Sequence, residues 1–249
     1  MIKFFRHIRK SLIEQNQMGK YLKYAIGEIL LVVVGILIAL QINNWNERSK
    51  LEAKTQEYYV QLLEDLNKDV IFADQTINKF ENYLKDLEGY ENSYYSEETL
   101  TPLDVYEKIA KLPVLSTSFT FNSSTIESLQ NSGDISLIPS EIRNRLIDLK
   151  RQQELTIKKA NYTDEGKNGI IQRLNPLLGS TTLPKRLAHQ PEMKEFFNID
   201  RNLKELILVY EGVHRWKSIS EETSMVSFRE MKKEIDTIKT LINMELKND

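Results

Sequence analysis

The sequence predicts an all-α protein: one N-terminal transmembrane helix continuing into an elongated three- to four-helix, coiled-coil-like bundle with a cap of short helices. Three observations carry this prediction. Tyr24 to Trp45 reads YAIGEILLVVVGILIALQINNW, with no polar side chain from Ile29 to Leu40. Tyr59, Leu63, Leu66, Val70, Ala73, Ile77, Phe80, Leu84 and Leu87 step alternately by four and three, a heptad seam without a proline. Apolar heptads return at Ile142, Leu146 and Leu149, and again at Phe228, Met231, Ile235, Ile238 and Ile242.

Residues 1–23 form the expected cytoplasmic segment. Phe4, Phe5, Ile8 and Leu12 recur at helical spacing with Arg6, Arg9 and Lys10 between them, the pattern of a basic amphipathic helix lying on anionic lipid. So few basic residues argue against a nucleic-acid partner.

Residues 24–45 form the expected span. A helix of this length is about 32 Å long, enough for a bilayer's hydrocarbon core. Tyr24 and Trp45 stand where amphipathic rings settle at the headgroups. Lys3, Arg6, Arg9, Lys10, Lys20 and Lys23 precede the span against one acid, Glu14, whereas Arg48, Lys50 and Lys54 after it are matched by Glu47, Glu52 and Glu57. The positive-inside bias puts the N-terminus in the cytoplasm and the remainder outside. A cleavable signal peptide is the rival reading. It wants a short charged start and a small-residue cut site, whereas this start exceeds twenty residues and the run ends in Leu40-Gln41-Ile42-Asn43-Asn44.

Within the span, Gly27, Leu31, Gly35 and Ala39 fall four apart on one face, and Gly35-x-x-x-Ala39 would let a second helix approach closely. Glycine is also simply common in membrane helices, so both readings stand. Glu28 is an acid at membrane depth, a functional candidate by default. It lies one turn inside Tyr24, near Lys20 and Lys23, which favours an interfacial pair. Gln41 either bonds across an oligomer or marks the boundary.

YAIGEILLVVVGILIALQINNWNE, with Phe4 and Phe5 in the basic start, resembles the N-terminal signature of a bacterial family of small single-pass membrane proteins of unknown function. FNSSTIESLQNSGDISLIPSEIRNRL, Phe121 to Leu146, resembles that family's middle segment more loosely. The resemblance implies a Gram-negative inner-membrane anchor. It implies no activity, and it carries over no functional residue.

Residues 46–249 form the expected extracytoplasmic domain. A long helix covers 46–89, with Gly89 as its C-terminal cap. Residues 90–139 read as a cap of short elements at the far end. There Thr101-Pro102 starts a helix to about Leu112 and Ser116 to Asn122 is extended. Ser124-Thr125-Ile126-Glu127 is a capping box, and Gly133 ends its helix. A second long helix covers 140–178, with Gly166 and Gly169 as places to bend. Gly179 to Pro191 is loop and Glu192 to Phe197 a short piece. A third long helix covers 200–247, its seam opening at Leu203, Ile207 and Tyr210. The three long helices are expected to run out, back and out again.

On that arrangement the polar middles of the second and third helices meet at one height. Gln153, Thr156, Lys167, His214, Lys217, Glu221 and Ser224 would line a wet layer, and bundle cores are places for ligand sites. The alternative is that these groups face solvent or are satisfied locally, which the cost of unpartnered buried polar groups favours.

No cysteine is present, which excludes thiol nucleophiles, thiolate metal sites and disulfides. His7, His189 and His214 fall in no zinc pattern. Neither a nucleophile elbow nor a phosphate-binding glycine loop occurs, and pairs such as Glu221-Glu222 read as solvated faces rather than hydrolytic carboxylates. The expectation is a non-enzymatic chain with no cofactor and no metal. It would be an interaction or scaffold module whose partners are the bilayer and either a second copy or another membrane protein. A sensory bundle relaying ligand occupancy, and an accessory subunit of an ion-driven complex using Glu28, are the alternatives.

Overall fold

The computed structural model describes residues 18–96, 99–180, 182–197 and 202–247. The basic amphipathic pattern at Phe4 to Leu12, His7 and the expected start of the third helix at Asp200 lie outside the described residues. Among those described, every regular element is helical: α1 (Met18–Asn92), α2 (Pro102–Ile109), α3 (Ser124–Ser132), α4 (Ser140–Ile171), α5 (Leu174–Leu178), α6 (Leu183–Leu187), α7 (Pro191–Phe197) and α8 (Leu203–Glu245), with 3-10 turns at Ser93–Tyr95 and Asp134–Leu137.

The chain divides into two units, Met1–Glu57 and Tyr58–Asp249. The described part of the first is the N-terminal stretch of α1. It is long and apolar enough to cross a membrane by length and composition, and no residue of its apolar window is buried. Ile29, Leu30, Leu31, Val34, Leu37 and Leu40 are each more than half exposed. Polar residues resume after Gln41, and Lys50 pairs with Glu47 at 3.0 Å.

The second unit is a bundle of the rest of α1 with α4 and α8. Its order differs from the expected out, back and out. Tyr58 of α1 donates to Asp134, just before α4, and the apolar start of α4 (Ile142, Leu146, Leu149) joins the cluster holding Tyr59, Leu62 and Leu66. Leu174, just past α4, joins the cluster of Tyr83, Leu87 and Tyr90. So α4 runs parallel to α1. Helix α8 runs antiparallel to both: its start packs with Tyr90, whose hydroxyl donates to Glu211, and its end packs with Tyr59.

The return is made by the segment that was expected to cap the far end. Helix α2 does pack there, Val105 and Ile109 lying with Tyr83 and Leu87. Residues 113–123, which lack regular structure, then descend along the bundle. Phe119 and Phe121 lie against Phe228 with ring centroids 5.0 and 5.7 Å away, and Phe121 meets Phe72 edge-on at 5.8 Å. The alternating aromatics that suggested an extended stretch are therefore a packed strap. Helix α3 sits near the Tyr58 end.

Several local expectations are also corrected. The buried seam of α1 is Tyr59, Leu62, Leu66, Asp69, Ala73, Thr76, Ile77, Phe80, Tyr83, Leu87 and Tyr90, whereas Leu63, Val70 and Leu84 are half-buried. Gly89 does not end the helix; burial of Tyr90 carries it to Asn92. Thr101 makes a full capping box with Asp104. The Ser124-x-x-Glu127 pattern does not cap by itself. Its Ser124 hydroxyl (3.1 Å), Thr125 N–H (3.1 Å) and Thr125 hydroxyl (2.7 Å) donate to Asp65 of α1, while Ser123 reaches Glu127. A carboxylate from a neighbouring helix thus supplies the acceptor that an N-terminus needs. Helix α4 passes through Gly166 and Gly169 unbroken and ends at Ile171, and α6 lies inside the expected Gly179–Pro191 loop. The seam of α8 opens at Leu206, Val209, Tyr210 and Val213, with Leu203 and Ile207 at its margin.

Candidate functional site

All seven polar residues singled out at the middles of α4 and α8 are buried, each at most 5% exposed. They do not form one layer. Gln153 belongs to a lower cluster built on Asp69, which is 1% exposed. The Asp69 carboxylate accepts Gln153 Nε2 (2.7 Å), the Asn122 backbone N–H (2.7 Å) and Asn122 Nδ2 (2.8 Å). Burial raises its pKa, and those donors pull it back down. Asp69 thereby ties α1, the descending strap and α4 together. Thr156 turns inward on its own helix, donating to the Gln152 carbonyl at 2.8 Å.

The upper cluster gathers His214, Lys217, Glu221 and Lys167 around Tyr83. The Tyr83 hydroxyl lies 3.0 Å from His214 Nδ1, and the His214 ring stacks with Tyr83 and Tyr210 at 6.0 and 6.3 Å between centroids. Lys217 Nζ donates to Glu221 one turn on and to the Leu115 carbonyl (3.1 Å), and sits 4.2 Å over the Tyr83 ring centroid, a cation–π distance. Lys167 pairs with Asp164 at 3.2 Å and donates to Ser116, whose hydroxyl donates to Asp164. The strap again closes the cluster, through Leu115 and Ser116.

Burial sets the electrostatics. It pushes the Lys217 ammonium down and the Glu221 carboxyl up, each opposed by the other's charge, while Lys167 and Lys79 favour the Glu221 carboxylate. Burial holds His214 down at about 4. The Lys217 charge adds to this and the Ile109 backbone opposes it, so the imidazole is neutral at pH 7. Two atoms remain over: Glu221 Oε2 and His214 Nε2 are buried and make no well-formed hydrogen bond.

Ser224 lines a groove. This cleft of 480 Å³ opens between α4 and α8, bordered by Leu155, Lys158, Tyr162, Thr163, Ser220 and Thr223. Thr163 and Ser220 share a 2.7 Å hydrogen bond across it.

In the first unit, nothing beyond the local helix backbone and the adjacent residues packs within 4 Å of where a Cβ would stand at Gly27 or Gly35, and Ala39 and Gln41 are exposed. Glu28 is half-buried.

Sequence reasoning missed Asp69, Tyr83, Ser116 and Asp164. For the first two a signal existed: Asp69 stands three after Leu66 and four before Ala73, and Tyr83 three after Phe80 and four before Leu87, both heptad positions. Ser116 and Asp164 carried none. Chemically, the lower cluster is a set of closed donor–acceptor pairs, and the upper one is closed except at Glu221 Oε2 and His214 Nε2. Among the described residues no three His, Asp or Glu side chains converge in a way that could hold a metal ion.

A family model described as a family of unknown function (DUF6090) matches residues 28–177. No curated protein and no solved structure matches the chain.

Proposed function

Because the chain belongs to the DUF6090 family, whose function is unknown, we propose from its own residues that it is a single-pass membrane protein with a non-catalytic interaction module. The observation that carries this reading is the unburied apolar window at the start of α1. A run of exposed Ile, Leu and Val on a helix favours lipid over water, because its transfer out of lipid would cost on the order of 25 cal/mol per Å². With the lysine and arginine bias before Tyr24, the reading places the N-terminus in the cytoplasm and the bundle in the periplasm of a Gram-negative cell. The Gly27, Gly35 and Ala39 face fits a second membrane helix, from another copy or another protein.

The bundle supports an interaction role because its buried charges are spent on one another. Lys217 is on Glu221, Lys167 is on Asp164, and Asp69 is on Asn122 and Gln153. A sensory reading has one observation in its favour, the buried Glu221 Oε2 without a hydrogen-bond partner.

Protease added to intact spheroplasts tests the topology. The proposal expects loss of the 58–249 region while a cytoplasmic control protein survives. Full protection of that region overturns the orientation.

A further inference from the structure

We infer that the outer face of α4 and α8 around the groove is a homodimer interface, in which a second copy of this chain completes a four-helix bundle. The inference rests on the interaction-module reading and names its partner. Two contacts fix how α4 and α8 lie side by side: Thr163 to Ser220 at 2.7 Å and Arg145 to Glu234 at 2.8 Å. In that antiparallel register Leu155 is level with Val226, and Tyr162 is level with Ile219. The four side chains are 51, 54, 71 and 49% exposed in that order. On each helix the two apolar residues are one heptad apart, the spacing of a helix-packing seam, so the face carries two apolar layers with a groove between them. Small side chains, Thr163 and Ser220, make the groove floor and leave room for a neighbour.

Charge identifies the occupant. On α4, Arg151 flanks the Leu155 layer and Lys159 lies between the layers. At the corresponding levels α8 carries Glu230 and Glu222. All four are exposed. A two-fold axis parallel to the helices sets α4 of one copy opposite α8 of the other. Apolar layers then meet apolar layers, Lys159 meets Glu222 of the second copy, and Arg151 meets its Glu230. Every helix in the resulting set of four is antiparallel to its nearest neighbours. A face that is complementary to itself under one rotation is what an isologous dimer requires. Val60 and Ile71, also exposed, stand on α1, outside the α4–α8 pair.

The absence of cysteine makes the test direct. Full-length Lys159→Cys and Glu222→Cys chains, co-expressed and treated in their membranes with a short bis-maleimide, are expected to give the mixed dimer. Pairing Lys159→Cys with Ile71→Cys is expected to give none. Adding Tyr162→Glu or Leu155→Glu should weaken the dimer about tenfold or more. The Lys159→Glu change should weaken it too, with recovery in Lys159→Glu/Glu222→Lys, and helicity measured on each variant shows that the fold is intact. Equal yields from the Ile71→Cys control, indifference to Tyr162→Glu, or Lys159→Cys linked to a different polypeptide overturns the inference. Fractionation of the same samples separates it from the anchor reading: a membrane-bound chain that does not cross-link sinks only the dimer, and a soluble chain that does cross-link sinks only the anchor.

Discussion

Glu221 keeps one carboxylate oxygen on the Lys217 ammonium and leaves the other, Oε2, without a partner, although both side chains are almost wholly buried. Such a pair is poor value for stability, because desolvating two charges costs about as much as their attraction returns. Replacing both with apolar residues of similar size, Lys217→Met with Glu221→Leu, is expected to leave stability unchanged or raise it by about 1–4 kcal/mol, whereas Glu221→Leu alone should cost about 3–5 kcal/mol. Chemical denaturation of the detergent-solubilised chain measures both. If the double variant is stabilised and the cell's phenotype is unchanged, the sensory reading loses its basis.

His214 makes stability depend on pH. Its folded-state value of about 4 lies below the ordinary 6.5, so the unfolded chain takes up a proton first as pH falls. The stabilisation is complete above pH 6.5 and is lost as pH drops through 4, amounting to about 3 kcal/mol over that window. Asp69 and Glu221, whose values burial raises, act with the opposite sign, their penalty easing as they protonate. The comparison of wild type with His214→Phe isolates the histidine: the variant's melting temperature should fall less between pH 7 and pH 4.

Asp69 is the tie between α1, the strap and α4. Asp69→Ala strands the Asn122 N–H groups and Gln153 Nε2 in a buried place, at about 1–3 kcal/mol for each group left unsatisfied. We expect a loss of at least about 3 kcal/mol, and faster hydrogen exchange at residues 113–123, both read on the purified chain.

Phe228 anchors the same strap from the other side. It is fully buried against Phe72, Phe119 and Phe121. Phe228→Ala should cost about 3–5 kcal/mol, with proteolysis moving first into residues 113–123.

The helical class was legible because three long stretches keep a heptad period. The polar middles of α4 and α8 were legible for the same reason: Gln153, Thr156, His214, Lys217, Glu221 and Ser224 occupy seam positions where apolar residues would stand. Two things were not legible. Periodicity alone does not separate Leu63 and Val70 from the buried Leu62 and Asp69, nor does it admit a buried acid. The chain order failed at the strap. Phe119 and Phe121 find their partners on Phe72 and Phe228, contacts far apart in sequence that no local spacing reveals. Once residues 113–123 supply the return, α4 must run alongside α1 rather than against it.

Alkaline extraction of isolated membranes tests the anchor most directly. The apolar start of α1 should hold the intact 29.1 kDa chain in the lipid pellet at high pH. A shorter chain lacking the residues before Asn46, released into the supernatant, would contradict it.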